Sequence, residues 1–173
     1  MKKIGLVLSS IFVGLLIVLY FNPFVKGAIA SLITGKESHY YLKGILLNVD
    51  MGFSESTTIF TYAFLLIIPL LVSLVFIEVT SVILKKNNNI NFRLGLVIFQ
   101  LVNIGYLVVN IFIAIIAVAF RGLLINGWVK LLDYANFKYT KQILLMLVIL
   151  ILLFVYINFC ANRLKKYMTI VKE

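Results

Sequence analysis

The sequence predicts an all-α integral membrane protein: four transmembrane helices in a bundle, with interfacial segments on the outer side. Three observations carry that expectation. Of the 173 residues, 63% are hydrophobic and only 13% are charged, with a mean hydropathy of +1.11. A soluble domain is closer to half apolar and a quarter charged, so lipid is the expected solvent for much of the surface. Four apolar runs, residues 4–21, 59–84, 94–120 and 143–160, each approach the ~20 residues that a helix needs to cross a hydrocarbon core. The sixteen Lys and Arg residues fall between these runs. A net charge of +10 so distributed anchors a chain at anionic headgroups; it does not mark a nucleic-acid partner. The single Cys160 leaves no internal disulfide and no CxxC motif.

Taken in order, the first span follows the basic start Met1-Lys2-Lys3. Ala28-Ile29-Ala30 has the form of a signal-peptide cleavage site, but the apolar run outlasts a usual signal core, so a retained span is expected. The outer segment 22–58 is too apolar for a free loop. Pro23 opens PFVKGAIASLIT as a helix laid along the outer interface. Leu47, Val49, Met51 and Phe53 alternate with Asn48, Asp50, Gly52 and Ser54, the period of an extended piece. Ser54 or Ser56 then offers a cap for the second span, which Pro69 interrupts with a packing kink. Residues 85–93, KKNNNINFR, form a tight polar hairpin loop on the inner side. In the outer segment 121–142, Trp128, Leu131, Leu132 and Ala135 recur at helical spacing, and Trp128, Tyr134 and Tyr139 suit an aromatic belt. No internal repeat divides the chain, so residues 1–173 are expected to form one membrane domain.

Orientation follows from the charges at the span ends. With the N-terminus inside, the inner side carries nine (Lys2, Lys3, Lys85, Lys86, Arg93, Arg163, Lys165, Lys166, Lys172). The outer side then carries seven (Lys26, Lys36, Lys43, Arg121, Lys130, Lys138, Lys141), and these are more dispersed. Both termini are therefore expected in the cytoplasm. The Ile, Asn and Lys bias is that of chains from AT-rich bacterial genomes, which makes the bacterial inner membrane the expected location.

Catalytic signatures are absent. The sequence holds no HExxH, GxSxG, P-loop or GxGxxG pattern. His39, Asp50 and Glu55 share the outer segment, but their spacing matches no metal motif, so no metal or cofactor is expected. With Trp128 they are instead candidates for an outer partner-binding surface. An enzyme built on His39, Asp50 and Glu55 is the weakest of three readings.

Polar residues inside the spans are more informative. Glu78 lies seven residues before Lys85 and Gln100 seven after Arg93, each about 10 Å along its helix from that charge. Asn158 and Ser9 stand at similar heights, which predicts one polar layer contributed by all four spans. Gln100, Asn103 and Asn110 fall within an arc of roughly 80° on one helix face. Glu78 is expected either to bond Gln100 and Ser81, with Lys85 reaching back, or to bind an ion or proton in a buried track with Gln100, Asn103, Asn110 and Asn158.

The expected function is a non-enzymatic subunit or accessory factor of a membrane assembly, in contact with lipid and with other membrane chains or further copies of itself. The alternative is an oligomeric transporter or channel component that uses the polar track.

Overall fold

The computed structural model describes residues 2–51, 58–87, 89–120 and 127–169. Nine elements follow one another: α1 (Lys2–Leu16), a π-helical turn (Ile17–Phe21), α2 (Asn22–Thr34), β1 (His39–Lys43), β2 (Leu46–Asp50), α3 (Ile59–Lys86), α4 (Ile90–Ala119), α5 (Gly127–Tyr134) and α6 (Tyr139–Thr169). Among the described residues, four helical stretches are long and apolar enough to cross a membrane: Ile4–Thr34, Ile59–Lys86, Ile90–Ala119 and Tyr139–Tyr167.

The first of these corrects an expectation. Residues 23–34 do not form a separate helix, because the helix never stops at Pro23. A proline ring collides with the carbonyl four residues back in a regular helix. Here the preceding turn widens into a π turn, closed by the Asn22 N–H on the Ile17 carbonyl. The chain stays helical until Gly35, whose positive φ of 66° closes the helix with a bond to the Ser31 carbonyl.

β1 and β2 form an antiparallel hairpin in which His39 faces Asp50 and Lys43 faces Leu46. Gly44, at φ 63°, supplies the left-handed residue that opens the two-residue turn. The period-two pattern therefore holds over Leu46–Asp50. Met51 lies past the strand, and Phe53, Ser54, Glu55 and Ser56 lie outside the described residues. The hairpin docks on α2. The Tyr40 ring stacks on Phe24 at 5.7 Å, its hydroxyl donates to the Phe24 carbonyl at 3.1 Å, and Ser38 Oγ donates to the Gly27 carbonyl at 2.9 Å.

Thr58 caps α3, its hydroxyl accepting from the Thr61 N–H at 3.3 Å. The helix passes through Pro69 and continues to Lys86. The loop to α4 is thus shorter than the expected 85–93. Both helices grow into that stretch until the asparagines stop them: Asn87 Oδ1 accepts from the Asn89 N–H, and Asn89 Oδ1 accepts from the N–H groups of Asn91 and Phe92. Asn89→Ala removes an N-cap and should destabilise the protein by about 1 kcal/mol, readable as a lower unfolding midpoint in detergent.

α1 lies close along α4. A Cβ added at Gly14 would sit 3.0 Å from Val102, and one at Gly95 would sit 2.9 Å from Ser10 Oγ, so small residues set the approach. Ile77, Leu107, Ile111, Leu153 and Cys160 join α3, α4 and α6 in one apolar cluster. Ala114, Val118, Leu132 and Met146 tie in α5, which packs as its Leu131–Leu132 pattern predicts. Arg93 donates to the Tyr167 carbonyl, and Gly95 lies beside Leu6 and Ser10. The start of α1, the end of α3, the start of α4 and the end of α6 therefore share one end of the bundle.

Candidate functional site

Glu78, Gln100 and Asn110 belong to three separate polar groups rather than to one layer. At the end shared by the termini, Glu78 faces α6. Its carboxylate takes two bonds from Arg163, Nη1 to Oε2 at 2.7 Å and Nη2 to Oε1 at 2.8 Å, and a third from the Tyr156 hydroxyl at 2.8 Å. The guanidinium also lies 4.4 Å from the centre of the Phe159 ring. A forked, charge-assisted pair of this kind fixes both direction and register between two helices. The Glu78 side chain nonetheless remains 48% exposed.

Gln100 belongs to a second place. It is fully buried and donates from Nε2 to Ser81 Oγ at 2.9 Å and toward the Ile77 carbonyl. The expected bond from Glu78 to Gln100 is therefore corrected. Their heights match, but Glu78 sits about 100° around α3 from Ile77, which turns it toward α6 while Ile77 and Ser81 face α4. Asn103, also fully buried, donates to the Phe99 carbonyl of its own helix.

The third place lies toward the hairpin. The π turn points Asn22 inward, where it is fully buried and donates to Ser73 Oγ at 3.2 Å. Asn110 donates to the Tyr106 carbonyl, and the Tyr106 phenol lies beside the side chains of Asn22 and Asn110. A cavity of about 240 Å³ opens next to them, bounded by Lys26, Asn48, Tyr106, Asn110 and Trp128. Pro23 and Pro69 both line it. Each proline deletes one helical hydrogen bond, so the two turns that lack a donor meet at the same hollow.

Two further members of the expected layer fall outside it. Asn158 is exposed on α6, and Ser9 is exposed and donates back to the Gly5 carbonyl. On the hairpin, His39 and Asp50 are exposed cross-strand partners, while Glu55 lies outside the described residues. Among the described residues no group of three potential ligands gathers around a metal position. Trp128 is half-buried, packed beside the Ala114–Val118 cluster and lining the cavity.

The comparisons with known proteins add no relative. No protein-family model matches the chain, and no curated protein or solved structure does either. The reading of function rests on the residues alone.

The sequence does not mark Tyr156, Asn22 or Ser73, and it marks Arg163 and Lys26 only as topology charges. A signal for Tyr156 and Arg163 existed. Tyr156 and Arg163 are seven residues apart, two turns on one helix face, at the end where Glu78 needs a partner.

Proposed function

We propose that the protein is a non-enzymatic subunit of a membrane assembly. It crosses a bacterial inner membrane four times with both termini in the cytoplasm, and it joins a second copy of itself through α6. The observation that carries this reading is the exposed Asn158. The apolar stretch of α6 from Tyr139 to Tyr167 has 29 residues, about 43 Å against a hydrocarbon core of about 30 Å. With the helix centred, Asn158 lies about 7 Å inside the hydrocarbon. An amide facing lipid there has no partner for its donors or acceptor, and Asn158 makes no hydrogen bond among the described residues.

Its helix face supplies the rest of an interface. Leu144, Val148, Ile151 and Val155 are all exposed and lead to Asn158 by steps of four, three, four and three residues. That is the seam spacing of a two-helix coil with one polar position fixing its register. An amide is both donor and acceptor, so it is complementary to itself across a two-fold axis. Intramembrane amide contacts contribute about 1–2 kcal/mol.

Fluorescence transfer between labelled copies in liposomes, measured over a lipid-dilution series, tests this. Asn158→Leu should weaken self-association about tenfold, while Asn158→Gln keeps it. Equal transfer in wild type and Asn158→Leu at every dilution defeats the proposal.

A conducting role has one observation in its favour. The carbonyl oxygens of Asn22, Gln100 and Asn103 are buried without hydrogen-bond donors, and such groups usually meet water. Against it, the carboxylate expected in that track is held by Arg163 instead. Ion flux through liposomes that is lost in Gln100→Leu but unchanged in Glu78→Gln would favour this second reading.

A further inference from the structure

We propose that the cavity around Lys26 is a binding site for a phosphate-bearing anion, with a membrane phospholipid as the favoured source. Lys26 is half-buried on α2 and reaches the cavity wall, yet among the described residues no carboxylate lies within ion-pair distance of it. An ammonium kept from water without a counter-ion is unfavourable, and a bound anion offsets that cost.

The rest of the wall carries complementary chemistry. Tyr106, Trp128, Asn48 and Asn110 come from three further elements and converge on the same hollow. The first two carry O–H and indole N–H donors, and the asparagines carry amides. Convergence of several elements separates a cavity from a lysine that merely extends toward headgroups.

Size and depth then favour a headgroup over a larger solute. At about 240 Å³ the cavity is smaller than the ~300–1,000 Å³ typical of drug-sized ligands. The first long helix, 31 residues from Ile4 to Thr34, is about 46 Å long. Lys26, eight residues before its end, thus falls about 4 Å inside the hydrocarbon edge when the helix is centred. That is close to the level at which lipid phosphates sit.

A third observation separates a lipid from free phosphate. A groove of about 470 Å³ runs along α1 and α2, lined only by apolar and aromatic residues including Val13, Leu16, Tyr20 and Phe24. Leu47 lines both the groove and the polar cavity. A charged hollow abutting an apolar channel matches an amphiphile, its phosphate at Lys26 and one chain along α1.

Trp128 is the only tryptophan in the chain and stands in the cavity wall, so its fluorescence reports occupancy directly. The full-length protein in neutral detergent would be titrated separately with dioleoyl phosphatidylglycerol, dioleoyl glycerol and glycerol 3-phosphate. Phosphatidylglycerol should give a saturable change, and dioleoyl glycerol none at the same concentrations. Lys26→Met should raise the half-saturating concentration about tenfold, the scale of one charge-assisted bond, and Lys26→Arg should largely preserve it. Saturation by glycerol 3-phosphate with the same Lys26 dependence would support the phosphate site and assign it a soluble ligand. Equal responses to phosphatidylglycerol and dioleoyl glycerol overturn the proposal, and that comparison needs no variant. Unchanged phosphatidylglycerol binding in a folded Lys26→Met protein overturns it as well.

Discussion

Arg163→Gln should destabilise the protein by about 2 kcal/mol, and adding Glu78→Gln should recover more than half of that loss. The single variant leaves the Glu78 carboxylate with only the Tyr156 hydroxyl as partner. Removing one partner of a fully buried ion pair costs about 3–5 kcal/mol; the Glu78 side chain is 48% exposed, so the cost falls to the scale of a bond to a charged group. The double variant replaces an unpaired charge with two neutral amides, so the desolvation cost falls away and only the loss of two charge-assisted bonds remains. Unfolding by added dodecyl sulfate, with helical signal as readout, measures all three proteins. A double variant less stable than Arg163→Gln alone would show that the pair matters for packing rather than charge. Equal stability of wild type and Arg163→Gln would remove the clamp from the account.

Gly27→Val should release the hairpin from α2. A Cβ at position 27 would meet the Tyr40 hydroxyl at 2.5 Å and Val49 Cγ2 at 2.6 Å. Val49 belongs to a strand backbone held by its register partner Tyr40, so the contact cannot be relieved by one flexible side-chain end. Overpacking of this kind costs about 1–3 kcal/mol. Because Leu47, Asn48 and Val49 also line the cavity, its wall goes with the hairpin. Amide exchange over residues 39–50 should accelerate at least tenfold, with α3 and α4 protected as before. The same variant should abolish the Trp128 response to phosphatidylglycerol. Unaltered exchange in the hairpin would mean that the strands are held by something other than Gly27.

Much of the architecture was legible because it depends on composition and periodicity. Four apolar runs became four long helices, and Leu131 and Leu132 correctly turned one face of α5 inward. The expected N-cap at Ser54 or Ser56 went to Thr58, and the helices grew into the expected loop at 85–93 as far as Lys86 and Ile90. Helix ends are decided by local hydrogen bonds that periodicity does not encode. Pro23 misled for a similar reason: proline at a helix start and proline after a π turn look identical in sequence. The candidate site was harder to read. Counting residues along a helix gives height, and the heights of Glu78 and Gln100 do agree. It does not give rotation about the bundle, which depends on which neighbour each face meets. Glu78 therefore turned to Arg163 and Tyr156, and Asn158 turned outward. Lys26 was hidden because its surroundings, Asn48, Tyr106, Asn110 and Trp128, are scattered across 80 residues of chain and meet only in the fold.

Whether α6 joins two copies is read out by disulfide scanning in native membranes. In a Cys160→Ser background, single cysteines would be placed at Val148, Ile151 and Val155, and at Val109 and Val75 as exposed controls on α4 and α3. Rapid oxidative dimers are expected at Val148, Ile151 and Val155, lost when Asn158→Leu is added, with little at Val109 or Val75. Cross-linking that is equal at all five positions, or strongest at Val109 or Val75, would mean that α6 is not the joining face.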